Sequence, residues 1–239
     1  MTRTAILVDG GFYKRRAKHL WGEKTGERRA LELAAYCKAH LDDRDGGEKR
    51  QLYRIFYYDC KPLRGVNVFH PYKKSNIALG ESDSYEWMNA FLSVLRQRRK
   101  FALRLGDMVP SSAHYNLNPE TTKKLFVGKV KLEDVTEKDF QFFSRQKGVD
   151  MRIGIDISSM AFKKQVDQMI LIAGDSDFVP AAKLARREGI DFILDPMWGD
   201  IREDLFEHID GKKSQWAKKE EPPARLPHRQ AMLVLNTLA

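Results

Sequence analysis

Cysteine is nearly absent: Cys37 and Cys60 are the only two in 239 residues. Neither belongs to a Cys-x-x-Cys pair, so a zinc site of ordinary spacing and a disulfide framework are both excluded as organising devices. A reduced, cytoplasmic setting is the expectation. The histidines (His19, His40, His70, His114, His208 and His228) are scattered, and none has metal-ligand spacing with a second His or Cys. No apolar run approaches membrane-spanning length, and no basic segment followed by an apolar one opens the chain, so neither membrane attachment nor a secretory leader is expected. Two phosphate-binding signatures are missing as well. Gly-x-Gly-x-x-Gly does not occur, and Gly10-Gly11 lacks the Gly-Lys-Ser/Thr ending of a P-loop. No internal repeat is evident.

The chain does hold an excess of cations. Lys and Arg number 42 against 33 acids, a formal charge of +9. Such a surplus attracts polyanions, nucleic acid first among them, or simply forms a soluble basic surface. Against this background, two short stretches concentrate carboxylates where apolar strands stop. Ala5-Ile6-Leu7-Val8 runs into Asp9-Gly10-Gly11, and Ile170-Leu171-Ile172-Ala173 runs into Gly174-Asp175-Ser176-Asp177-Phe178. In open α/β sheets ligands bind at the carboxyl ends of parallel strands. Carboxylates gathered there repel one another unless a cation or protons intervene, so a divalent-metal site is the leading expectation.

The elements expected from periodicity and composition alternate between strand and helix. Strands are read at 4–9, 52–58, 101–105, 168–174 and 190–195. Helices are read at about 12–21, 30–41, 85–99, 148–163, 178–188 and 202–209. In the fourth of these helices Val149, Ile153, Ile157 and Met160 form the buried stripe. The segment 126–132 alternates and is read as part of a small antiparallel hairpin, while 60–82 shows no clear period. Asp42 to Gly47 is a turn signal. This alternation points to an α/β fold: a three-layer α/β/α sandwich with a central, mainly parallel sheet. One domain is expected over residues 1–210, with inserted loops at about 60–82 and 106–138. From Gly211, with Lys212, Lys213, Lys218, Lys219, Glu220, Glu221, Pro222 and Pro223, a charged linker and tail follow over 211–239, carrying a short apolar patch at Met232-Leu233-Val234-Leu235.

Each motif has a plain reading beside its functional one. Asp9 is a metal ligand at a strand end or the cap of a turn. Gly10 and Gly11 would let a phosphate approach the backbone. Asp177, at the start of a helix, is explained by capping; Asp175 is not. Asp150 lies near the start of its helix, where capping is again available. Asp156, six residues on and about 600° around the helix, faces elsewhere and suits a buried partner to a cation. Lys147 and Arg152 flank Asp150 and suit phosphate contact or a solvated face. Val68 to Lys74 interleaves aromatics with cations, with Tyr72, Lys73 and Lys74 suited to stacking bases and tracking phosphates, or forming a plain surface loop.

Together, Val8-Asp9-Gly10-Gly11-Phe12, Phe56-Tyr57-Tyr58-Asp59, Gln146-Lys147-Gly148-Val149-Asp150-Met151 and Gly174-Asp175-Ser176-Asp177-Phe178-Val179-Pro180 resemble the bacterial NYN domain family of the PIN-like nuclease group. The resemblance spans about residues 3–210. It implies an acidic cluster that binds Mg2+ or Mn2+ and cleaves RNA, or DNA. Carried over by motif, Asp9, Asp150, Asp175 and Asp177 are the implied catalytic and metal-binding residues. Asp156 matches a further aspartate of the same helix and is the fifth implied metal ligand. Lys147, Arg152, Ser176, Gly10, Gly11, Lys73, Lys74 and Tyr72 are the expected nucleic-acid contacts. Many relatives carry Asn three residues after the first Asp; here that position is Phe12. Two other classes stay open. One is a catalytically inactive module on the same fold that binds RNA or a partner chain. The other is a phosphatase of the haloacid dehalogenase type, whose nucleophilic Asp is followed two residues later by another Asp, where this chain has Gly11. Self-association into a homo-oligomer is left open too.

Overall fold

The computed structural model describes residues 1–42 and 49–216. Seven strands form its main sheet. In chain order the elements are β1 (Thr2–Asp9), α1 (Gly10–Trp21), α2 (Gly26–Asp42), β2 (Arg50–Cys60), β3 (Asn67–His70), β4 (Ser75–Ala78), α3 (Asp83–Arg96), β5 (Phe101–Met108), β6 (His114–Leu117), α4 (Pro119–Phe126), β7 (Phe140–Phe143), β8 (Gln146–Lys147), α5 (Val149–Phe162), β9 (Gln168–Ile172), α6 (Val179–Arg187), β10 (Asp191–Asp195), α7 (Glu203–Phe206) and β11 (Gly211–Lys212). The sheet order is β11-β10-β9-β1-β2-β5-β8. All pairings are parallel except β5 with β8.

The unbroken apolar run of β1 follows from burial on both faces. Ala5, Ile6, Leu7 and Val8 are all fully buried, and alternation sends them to opposite layers. Ala5 and Leu7 join Val149, Ile153, Ile157 and Met160 of α5 and Ala182 of α6 in one core. Ile6 and Val8 join Tyr13 of α1, Leu33 of α2 and Phe91 of α3 in the other. The fold is therefore a three-layer α/β/α sandwich, and the α5 stripe is the one expected. Among the described residues no helix is long and apolar enough to cross a membrane.

The connecting segments differ from expectation. Within 60–82, β3 and β4 form an antiparallel hairpin, with Val68 and His70 turned inward. Four-residue strands are too short for periodicity to register. The segment 126–132 forms no strand. Phe126 closes α4, whose start is a standard cap: Asn118 Oδ1 accepts from the Thr121 amide and Pro119 occupies the first turn. The antiparallel partner of β6 is β7 instead, and α4 lies between them in sequence. The charged stretch from Gly211 first adds β11 to the sheet beside β10, and Trp216 then packs 4.9 Å from Tyr36 and 5.5 Å from Trp21. The folded body thus runs past residue 210. The turn expected at 42–47 falls, beyond Asp42, outside the described residues, as do Lys218 to Pro223 and the patch at 232–235.

Candidate functional site

Chain direction places the site. From β1 the sheet grows outward to β2 and β5 on one side, and to β9, β10 and β11 on the other. The crevice between β1 and β9 at their carboxyl ends is thus a topological switch point, where open α/β sheets take ligands. Asp9 closes β1 there, and the segment after β9 delivers Asp175 and Asp177.

Asp9 is held firmly. It caps α1, its Oδ1 accepting from the Phe12 amide at 3.0 Å. Burial raises its carboxyl pKa above the ordinary 3.8; the Phe12 amide and Arg15 pull it down, while the charges of Asp150 and Asp59 push it up. Asp150, in the first turn of α5, is also raised, first by desolvation and then by the negative charges of Asp175 and Asp177. Asp9, Asp150, Asp175 and Asp177 therefore share one field, and the repulsion links them through Asp150.

The capping roles at the second strand end are the reverse of those expected. Asp175 is the cap: its Oδ1 accepts from the Asp177 amide at 3.1 Å and opens the single 3-10 turn Ser176–Phe178. Asp177 lies inside that turn and is exposed, as is Asp175. Buried Phe178 anchors the turn to the core. Ser176 is half-buried between them.

Other expected residues fall into distinct environments. Gly10 is required by packing, since a Cβ there would lie 2.6 Å from Asp59 Oδ2. Gly11 is more open, its nearest neighbour being Asp9 Oδ1 at 3.4 Å from such a Cβ. Asp156 accepts from Arg104 Nε and from the Tyr58 hydroxyl, both at 2.9 Å. It is thus a cation's partner, as its helical position suggested, with Arg104 as the cation. Gly148 turns β8 into α5 with φ 79°, leaving exposed Lys147 before the turn and exposed Arg152 after it. Tyr72, Lys73 and Lys74 form the exposed β3–β4 turn, where Lys73 pairs with Glu137 at 2.6 Å.

Two features escaped sequence reasoning. Phe12 seats its ring on Gly174, where a Cβ would come within 2.5 Å of Phe12 Cε2. The first helix and the second acidic loop are thereby matched in shape. Asp59 is the other. It ends an apolar-aromatic run much as Asp9 does, yet alternation turns it to the opposite face. There its Oδ2 meets Lys14 Nζ at 2.7 Å and the Tyr57 hydroxyl at 2.6 Å, and its Oδ1 accepts from the Cys60 amide at 2.8 Å.

Among the described residues no group of three or more His, Cys, Asp or Glu side chains could hold a metal ion as placed. The chemistry of the donors still suits a hard divalent cation. They are carboxylate oxygens, and Asp9 and Asp175 each commit one oxygen to a backbone amide.

The NYN domain family model matches residues 65–197. That span includes Asp150, Asp175 and Asp177, and it begins after β1 and Asp9. No curated protein matches the chain. A crystal structure of a protein of unknown function from Vibrio parahaemolyticus is 13% identical, with 91% of this chain and 95% of that one covered at a TM-score of 0.44. Members of the matching family are generally nucleases acting on nucleic acid and typically use divalent metals. With more than half its length matched by that model, the chain belongs to the NYN domain family, within the PIN-like nuclease superfamily.

Proposed function

We propose that this protein is a metal-dependent ribonuclease that hydrolyses phosphodiester bonds of single-stranded RNA. The observation that carries the reading is the placement of Asp9 at the end of β1, of Asp175 and Asp177 after β9, and of Asp150 in the first turn of α5, around the switch point of the sheet. In a chain with a +9 charge, carboxylates gathered at a strand-end crevice fit a shared cationic ligand.

Asp9, Asp150 and Asp175 would hold Mg2+ or Mn2+, which when bound polarises the scissile phosphate and acidifies a water. The protein's own contribution is orientation. Asp9 and Asp175 each have one oxygen fixed by a backbone amide, which lowers the side-chain entropy lost when the second oxygen takes a ligand. Asp177 orients the attacking water. The water oxygen bonds to phosphorus, the bond to the leaving oxygen breaks, and the water's proton passes to a carboxylate. Exposed Lys147 and Arg152 hold flanking phosphates and fix the strand's register. Replacing Asp175 with Asn and assaying single-stranded RNA with Mn2+ tests the assignment. A loss of about 10²-fold or more is expected, and undiminished cleavage excludes the role.

One observation favours a second reading, a module that binds nucleic acid without cutting it. Phe12 stands where many relatives carry Asn, and its ring covers Gly174 beside the acidic loop. RNA binding that persists in EDTA, with no cleavage under Mg2+ or Mn2+, selects this alternative.

A further inference from the structure

On the face of the sheet opposite Asp150, a cavity of about 550 Å3 opens at the carboxyl ends of β2 and β5. This lies within the roughly 300–1,000 Å3 of small-ligand sites. Its polar floor is the Lys14–Asp59 pair. Its walls include Tyr85 and Trp87 of α3, and Tyr115 and Phe142 from the paired strands β6 and β7. None of these residues was singled out as a site by the sequence.

Charge accounting narrows the ligand. Four cations line the cavity, and each has a carboxylate: Lys14 with Asp59, Lys18 with Glu23, and Lys24 and Arg29 with Glu32. No cation of the lining is left over to balance a phosphate. Lys14 Nζ reaches Asp59 at 2.7 Å and has otherwise only a weak 3.7 Å contact to Met88 Sδ, so an ammonium hydrogen remains for an acceptor inside the cavity. Aromatic walls with one donor at the floor suit a neutral, planar heterocycle bearing acceptors on its edge. A purine matches this, since Lys pairs with the O6 and N7 acceptors of guanine, and aromatic rings stack on unpaired bases.

The cavity and the acidic crevice lie at the same carboxyl edge of the sheet, on opposite faces. Asp9 caps α1, and Lys14, in the cavity lining, follows about one turn along the same helix. We infer that this cavity is a base-binding subsite, which receives one unpaired purine of the strand whose backbone crosses Asp9. The inference rests on the nuclease reading for its substrate class.

The test titrates guanosine, adenosine, cytidine and uridine into the full chain in EDTA, following tryptophan fluorescence through Trp87. Purine nucleosides are expected to bind, pyrimidine nucleosides more weakly. Phe142→Ala, on an exposed strand, is expected to weaken purine binding about tenfold. Lys14→Met is expected to abolish the preference for guanosine over adenosine. Absence of purine binding at millimolar concentration, equal binding of all four nucleosides, or full competition by inorganic phosphate overturns the assignment. Nucleoside binding without RNA cleavage would sink the nuclease reading and leave the cavity. Cleavage indifferent to base, with no nucleoside binding, would do the reverse.

Discussion

Asp9 and Asp59 lie at the same edge of adjacent strands, and they meet opposite fates. Asp59 is 2% exposed and fully answered, by an ammonium, a phenol and an amide. Asp195, at the end of β10, is answered likewise: His40 Nε2 lies 2.7 Å from its Oδ2, and the Met197 amide donates to its Oδ1 at 2.7 Å. Asp9 instead feels the like charges of Asp150 and Asp59 against Arg15, and Asp150 those of Asp175 and Asp177. A carboxylate at a strand end is therefore not a site by virtue of position. Those that are compensated hold the fold together, and those left without a counter-ion are the ones we propose bind a ligand.

The sharpest way to break this comparison is to remove one member of each set. Asp59→Ala leaves Lys14 without its carboxylate and Tyr57 without an acceptor, and should cost about 3 kcal/mol of stability, read by urea denaturation. Removing one charge from the acidic set should act the other way: Asp150→Asn is expected to reduce cleavage by about 10²-fold while leaving the fold as stable as before or more so. If Asp150→Asn destabilises as Asp59→Ala does, the distinction between the two sets is wrong.

A packing prediction comes next. Gly174→Ala forces its new methyl against the Phe12 ring, at an expected cost of about 1–2 kcal/mol. In a Phe12→Ala background the same change should cost much less, because the two positions are coupled. Thermal melts of the four proteins give the coupling directly, and simple additivity would contradict the shape match.

The smallest effect concerns pH. Asp9 and Asp150 have carboxyls raised above 3.8 in the folded state, so the folded chain retains protons that the unfolded chain has released. Their contribution opposes folding, and the opposition grows as pH rises from about the unfolded value through the raised one, then levels off. Asp167, lowered by its bonds to Arg3, has the opposite sign: its contribution is present above the unfolded value and is lost as pH falls through the folded one. The difference in melting temperature between wild type and Asp150→Asn should widen from acid to neutral pH. A difference that stays flat across this range would contradict the repulsion.

Much of the frame was legible in the sequence because burial leaves a direct trace. The runs in β1 and β9 are apolar without alternation since both faces are covered, and α5 shows its stripe since one face is. The hairpins left no such trace. β6 and β7 are four residues each and separated by a helix, so their pairing is set by tertiary contacts. At the site, the residue types were readable but their partners were not. Asp175 and Asp177 exchanged capping roles because the turn between them is a single 3-10 turn. Asp59 and Asp9 look alike in sequence, each closing an apolar run. Only the alternation of neighbouring strands, which turns one towards Lys14 and the other towards Asp150, separates them.

The central claim is that Asp9, Asp150 and Asp175 serve one divalent cation. Mn2+ titration followed by electron paramagnetic resonance, on the wild type and on Asp150→Asn, tests it without reference to activity. The expected result is saturable Mn2+ binding by the wild type and its loss in the variant. Wild-type protein that leaves all the Mn2+ free in solution, or a variant that binds as well as the wild type, would contradict the claim.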